Sequence, residues 1–291
     1  MKRPAIAALL IATAGFCPAP AQTKAAKAPP AVPPAPRTRA EVAAVLSHAD
    51  PPPANLRPLR LLLVAGPKTH GVAQHDYPVW QRTWAPLLAK SPGVTTDTAF
   101  PFPTEAQFAA ADAAIFYFKG GWETAQVEAL EKFQKRGGGV VTIHWAIGVT
   151  AAPEPFAARV GLVYPAARFR HGIVDLRIDA SHPITRGFPP VVRFTDEPYW
   201  PFVGDPKRVR VLASSEEQAG PDGAPALVPV FWTHEPAGGG RAFVCIFGHY
   251  MWTFEDPLFR LLLLRGIAWA AHEPISRLDA LALDGVELSE P

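Results

Sequence analysis

The chain has 291 residues, 48% hydrophobic and 19% charged, enough for one large α/β domain or two smaller ones and unlike a disordered or fibrous chain. Of its 34 prolines, eleven fall in residues 18–58, where few aromatic or branched apolar side chains offer burial to offset chain entropy. The formal charge of +2 is local as well: from residue 59 onward 21 basic residues face 24 acidic ones with no basic run, which excludes the electrostatic footprint of a nucleic-acid binder.

Lys2-Arg3, the apolar stretch from Ala5 to Phe16 and Ala19-Pro20-Ala21 read as a signal peptide over residues 1–21, so a periplasmic or secreted protein is expected. The apolar stretch is too short for a membrane span. Cys17 follows the bulky Phe16, which fits a lipidation box poorly, so a lipoprotein is the lesser expectation. Residues 22–58 read as a Pro/Ala-rich disordered linker, and residues 59–291 as the folded domain. The apolar run Leu59–Ala65, stopped by Gly66-Pro67, predicts a buried parallel strand. Helical spacing predicts a helix over Tyr77–Ala89, then a strand over Val94–Phe100, and Thr104 with Gln107 forms a capping box for a short helix. A strand over Ala113–Phe118, a helix over Thr124–Arg136 and a strand over Val140–Ile143 complete the alternation. Such alternation predicts an α/β fold: a single domain with a doubly wound, mostly parallel sheet flanked by helices, of the flavodoxin-like kind. Further strands are predicted near Val174–Ile178, Val192–Phe194, Val209–Ala213, Val228–Thr233 and Ala242–Phe247, before an apolar helix over Pro257–Ala271. Whether Asp279 to Leu288 adds a strand is left open.

Glycine-rich dinucleotide and phosphate loops, His-Glu-x-x-His, paired Cys-x-x-Cys and a Gly-x-Ser-x-Gly elbow are all missing, so no nucleotide or flavin is expected. Cys245, in an apolar strand, reads as a small core residue. What stands out is histidine at strand ends. His70 and His75 follow the first strand, His144 follows Val140–Ile143, and His249 follows the strand ending near Phe247. In a doubly wound sheet those ends share one edge, the ligand crevice, and imidazole there suits proton transfer or a first-row metal. Asp196 and Glu197 bring carboxylates beside Tyr199 and Trp200, while Trp145 follows His144 and Tyr250 and Trp252 follow His249. Carboxylates beside aromatic rings suit a sugar, although a solvated acidic turn reads equally well. His171 sits in a second polar stretch, His182-Pro183 reads as a structural turn, and Trp80 with Trp84 reads as a core stripe.

Val64-Ala-Gly-Pro-Lys-Thr-His-Gly71, His75-Asp-Tyr77, Thr142-Ile-His-Trp145, His182-Pro-Ile-Thr-Arg-Gly187, Asp196-Glu-Pro-Tyr199 and Gly248-His249 together resemble the ThuA-like (trehalose utilisation) family over about residues 59 to 272. The resemblance implies a fold like that of the class I glutamine amidotransferases, with His144 where those enzymes carry a cysteine, so amidotransferase chemistry is not expected. It also implies work on disaccharides, glycosides or their 3-keto derivatives by hydrolysis, elimination or isomerisation. On that basis the expected catalytic residues are His144, His249, Glu197 and Asp196. The expected substrate-binding residues are His70, His75, Trp145, His171, Tyr199, Trp200, Tyr250 and Trp252. A divalent metal, zinc or similar, on His75, His144 and His249 would polarise a keto oxygen or activate water, with Glu197 or Asp196 moving the proton. A metal-free scheme, His144 as base and His249 as acid, stays open, as do a non-catalytic carbohydrate-binding module and a scaffold domain. The expected partner is a small-molecule sugar; neither nucleic acid nor a membrane span is expected, and the oligomeric state is open.

Overall fold

A computed structural model describes residues 32–51, 54–149 and 153–290, whose contacts cluster within one unit. Residues 1–21, expected to be a signal peptide, and residues 22–31 lie outside the described residues. A short helix comes first, α1 (Arg39–Leu46). The apolar run predicted as a buried strand follows as β1 (Leu59–Ala65), in which only Arg60 is exposed. Then come α2 (Tyr77–Ala89), β2 (Val94–Ala99), α3 (Glu105–Ala110), β3 (Ala113–Tyr117), α4 (Thr124–Lys135) and β4 (Gly139–Ile143), close to the predicted bounds. Thr104 and Gln107 exchange the capping-box hydrogen bonds that start α3. Trp80 and Trp84 are buried and stack on one another, as a helix stripe facing the sheet requires.

The second half holds α5 (Pro153–Val160), β5 (Leu162–Val163), β6 (Arg168–Phe169), β7 (Gly172–Ile178), β8 (Val191–Asp196), β9 (Tyr199–Trp200), β10 (Val203–Gly204), β11 (Val209–Glu217), β12 (Ala226–His234), β13 (Arg241–Cys245) and α6 (Pro257–Ala270). Nine strands form one sheet in the order β2-β1-β3-β4-β13-β12-β11-β7-β8. The strands from β2 to β13 pair in parallel, and those from β12 to β8 extend the sheet as an antiparallel wing. β13 lies beside β4 although about a hundred residues separate them, Cys245 standing opposite Ile143. That pairing puts the residues after β4 and after β13 side by side at one sheet edge. Helix α6 is buried along its whole length, because it lies under the sheet and beneath the C-terminal segment. No helix among the described residues is long and apolar enough to cross a membrane.

The linker reading needs correction over its second part. Residues 32–51 pack against the domain: Thr38 and Glu41 form a capping box, Val42 and Val45 are each 1% exposed, and Arg37 pairs with Asp256 at 2.8 Å. Composition concealed this because two valines and one arginine suffice where the body offers a ready surface. The C-terminal stretch left open forms a 3₁₀ segment, Ile275–Leu283, and Ser289 bridges Thr38 in parallel.

Candidate metal centre

Four segments deliver the site. The loop after β1 carries His70 and His75, and His75 is pinned by its own N–H, which donates to the His249 carbonyl at 3.1 Å. His144 opens the turn directly after β4 with φ of 56°, and His75 has φ of 44°. A left-handed backbone at a branched-ring residue costs about 1 kcal/mol or more, and it persists here because the neighbouring elements over-determine both turns. His249 follows Gly248, whose φ of 126° favours glycine and where a Cβ would crowd Ile143 and Phe254. Glu197 comes from the far side, on the turn between β8 and β9.

His75, His144, Glu197 and His249 are all buried, and one ligand atom from each falls within 4.8 Å of the others. His75 Nε2 lies 2.9 Å from His144 Nε2 and 2.8 Å from His249 Nδ1. Glu197 Oε2 lies 2.9 Å from His249 Nδ1 and 3.2 Å from His144 Nε2. The His144 Nδ1–H donates to the Ile246 carbonyl at 2.7 Å, so in the neutral ring Nε2 presents its lone pair to the cluster. That lone pair faces the Glu197 oxygen, an acceptor against an acceptor, and only a proton or a cation between them makes the contact favourable. The Tyr199 hydroxyl reaches both, 2.7 Å from His144 Nε2 and 3.1 Å from Glu197 Oε2, but has one proton to donate. His249 Nε2 is buried without a hydrogen-bond partner among the described residues. Tetrahedral ligands about 2.1 Å from a zinc-like ion stand about 3.4 Å apart, close to the separations of this donor set, which fits such an ion after small shifts of the side chains.

Electrostatics agrees with the geometry. Burial, then the neighbouring His144 and His249, push the His75 imidazole far below its ordinary range, so it is neutral and able to ligate. Burial opposes charge on Glu197, but hydrogen bonds and charge from His144 and His249 outweigh it and hold the carboxyl well below the usual range. Burial and then Glu197 raise the Tyr199 hydroxyl well above its ordinary value, which keeps it a proton donor.

The remaining candidates divide into mouth, wall and bystander. His70 is exposed and packs on His75 with ring centroids 3.8 Å apart; Trp145 lies 5.6 Å from the same ring. His171, an exposed residue, reaches Glu197 Oε1 at 3.3 Å through Nε2 and the Tyr250 hydroxyl at 3.0 Å through Nδ1. Burial lowers the pKa of His70 and of His171, and pushes Tyr250 up to about 12.

Three assignments need correction. Asp196 is fully buried, but its carboxylate accepts from Gly248 N, His249 N, Glu197 N and Thr253 Oγ1, and it is not among the converging ligand atoms. Its acceptor positions are spent on holding the His249 turn, because adjacent residues of an extended chain point to opposite sides. The same alternation separates Tyr199, stacked on His144, from Trp200, which makes no ring contact with the cluster. Trp252 stacks on Tyr250 at 4.1 Å and lines a groove with Pro33–Arg37 instead of the pocket. Tyr77, whose hydroxyl lies 2.9 Å from His75 Nδ1, and Tyr117, which hydrogen-bonds the Gly248 carbonyl, were given no role from the sequence. Tyr117 ends β3, the kind of position that marked the histidines, and Tyr77 opens α2 two residues after His75. His182 accepts the Ile184 N–H at 3.2 Å, a turn as expected, and Cys245 is buried with its thiol pushed up by burial.

A family model for ThuA, described as trehalose utilisation, matches residues 70–270. A search of curated proteins found no match. Among solved structures, a ThuA-like protein of Parabacteroides merdae is 22% identical with a TM-score of 0.57, covering 74% of this chain and 90% of that one. A ThuA-like protein of Bacteroides uniformis is 21% identical with a TM-score of 0.59, covering 75% of this chain and 94% of that one. At these identities the likeness to the solved structures shows the fold.

Proposed function

This chain belongs to the ThuA family, with its class I glutamine amidotransferase-like fold, and from that premise we propose that it processes a disaccharide, a glycoside or a 3-keto derivative of one, outside the cytoplasm. The observation that carries the reading is the convergence of His75, His144, Glu197 and His249 at the sheet edge where ligands of such folds sit. Those four residues would hold a divalent ion, which when bound supplies Lewis acidity to a sugar carbonyl or hydroxyl. Tyr199, protonated and within reach of both His144 and Glu197, donates its one proton to that pair and holds the carboxylate in place. His70 and His171, neutral near pH 7 and set at the mouth, are the bases positioned to take a proton from carbon or water. Asp196 takes the role of positioning residue, because it fastens the backbone of Gly248 and His249. With a buried histidine in place of a nucleophilic cysteine at the turn after β4, acyl transfer from glutamine has no nucleophile there.

The test is metal analysis of the protein beside its His144→Ala variant, followed by turnover of trehalose and a 3-keto-glycoside. We expect near-stoichiometric metal in the parent, loss of it in the variant, and turnover that falls at least a hundred-fold while sugar binding persists. Metal-free parent protein with full turnover would move the reading to imidazole acid-base chemistry, and sugar binding without turnover would move it to a binding module.

A further inference from the structure

On the exposed side of the buried cluster stands a cation that the proposed chemistry does not use. Lys119 is exposed, just past the C-terminal end of β3, and its ammonium sits 5.3 Å from the centre of the Trp145 ring. Lys68, Lys90 and Lys135 each lie beside a carboxylate; Lys119, like Lys132 and Lys207, enters no ion pair among the described residues, and of these three it is the one set over an aromatic ring. The backbone holds it there. The Gly120 N–H donates to the Trp145 carbonyl at 3.0 Å and the Gly121 N–H to the Gly148 carbonyl at 2.8 Å. A Cβ at Gly120 would stand 2.2 Å from the Gly148 oxygen, so only glycine allows this loop to lie against the turn that bears Trp145. Trp145 in turn lies 5.7 Å from His70 and 5.6 Å from His75, ring to ring. From the buried cluster outward the contacts therefore run His75, Trp145, Lys119, at 5.6 Å and then 5.3 Å.

Resting on the sugar reading of the same site, we propose that Lys119, steered by Trp145, is a specificity-determining residue that binds oxygen acceptors on the sugar unit one ring removed from the reacting one. A solvent-facing ammonium over an indole keeps its three donors available, and the cation–π contact limits where they point. A carboxylate partner on the protein would have consumed those donors. The acceptors are the hydroxyls of a neutral second ring or the carboxylate of a uronic acid, which present the same oxygen chemistry to an ammonium.

The experiment is calorimetric titration of the metal-loaded protein and its Lys119→Met and Lys119→Arg variants with three probes: glucose, trehalose and a disaccharide ending in glucuronate. Metal content and melting temperature of the variants are measured first, and should match the parent because Lys119 touches neither ligands nor core. Lys119→Met should weaken a two-ring probe about ten-fold, as loss of a charge-assisted hydrogen bond does, leave glucose unchanged, and be partly rescued in Lys119→Arg. A loss confined to the glucuronate probe, with parent affinity that falls as salt rises, identifies a carboxylate; an equal loss on trehalose, independent of salt, identifies hydroxyls. Parent protein that binds all three probes with affinities unchanged in Lys119→Met overturns the assignment of Lys119 alone. Parent protein that binds none of them overturns the sugar reading, and this inference with it.

Discussion

At the scale of single residues the site is a contest for too few protons. His144 has one nitrogen committed to a backbone carbonyl, and its other nitrogen meets an ionised carboxylate and a second imidazole. Glu197→Gln keeps the shape but removes an anionic ligand, and we expect metal affinity to fall by at least a hundred-fold, read by competition with a chromogenic chelator. Asp196→Asn should lower it by a smaller factor, about 10- to 100-fold, since Asp196 orients a ligand without being one. Equal losses in both would place Asp196 among the ligands. His75 adds a dependence on pH. Its folded-state value lies far below the ordinary 6.5, so below that pH the unfolded chain takes up a proton that the folded protein does not. The stabilisation from keeping it neutral is present above pH 6.5 and is lost as pH falls. Metal-free protein should therefore lose melting temperature between about pH 7.5 and about pH 5, and His75→Gln should flatten that slope; identical slopes would remove His75 as the cause.

At the scale of elements, the parallel half of the sheet was legible because buried parallel strands are continuous apolar runs and the helices between them carry caps and a helical stripe. The antiparallel wing was legible as strands but not as an order, since nothing local in β7, β8, β11 or β12 says which neighbour each takes. Helix α1 escaped for the opposite reason: its own sequence is weakly apolar, and Val42 and Val45 become core only where the body covers them. Arg37 holds this arm through Asp256, through the Arg193 carbonyl and over the Phe194 ring. Arg37→Ala leaves the mostly buried Asp256 carboxylate without its cation, so we expect a loss of about 2–3 kcal/mol in denaturant unfolding of the metal-free protein. A loss below about 0.5 kcal/mol, the size found at ordinary surface sites, would mean that the arm contributes nothing to the fold.

At the scale of the whole molecule, a metal held by loops after β1, β4 and β8 and by the turn after β13 would tie the parallel half to the antiparallel wing. Ligand present at about a hundred times its dissociation constant adds about 2.7 kcal/mol to folding. For a domain of this size that corresponds to a melting temperature roughly 5–10 °C higher. Differential scanning calorimetry should show that rise on metal loading, its reversal by chelator, and neither in His144→Ala. A chelator that lowers parent and variant alike would mean that the stabilising ion sits elsewhere.

The sequence by itself determined the class of fold, the strand ends at which histidine appears and the family to which the chain belongs, because these depend on local periodicity and on order along the chain. That His75, His144 and His249 approach one edge followed from position, since residues after parallel strands share an edge, although the same reasoning placed His70 there and it lies outside the cluster. Only the tertiary structure decided that Glu197 joins the three histidines, that Asp196 beside it faces the other way, and that Trp200 and Trp252 turn from the cluster while Tyr77 touches His75 and Lys119 lies over Trp145. Those outcomes depend on which side of the chain faces the crevice and on how the antiparallel wing folds back across it. A change of one residue in register reverses the first, and contacts between segments far apart in sequence decide the second.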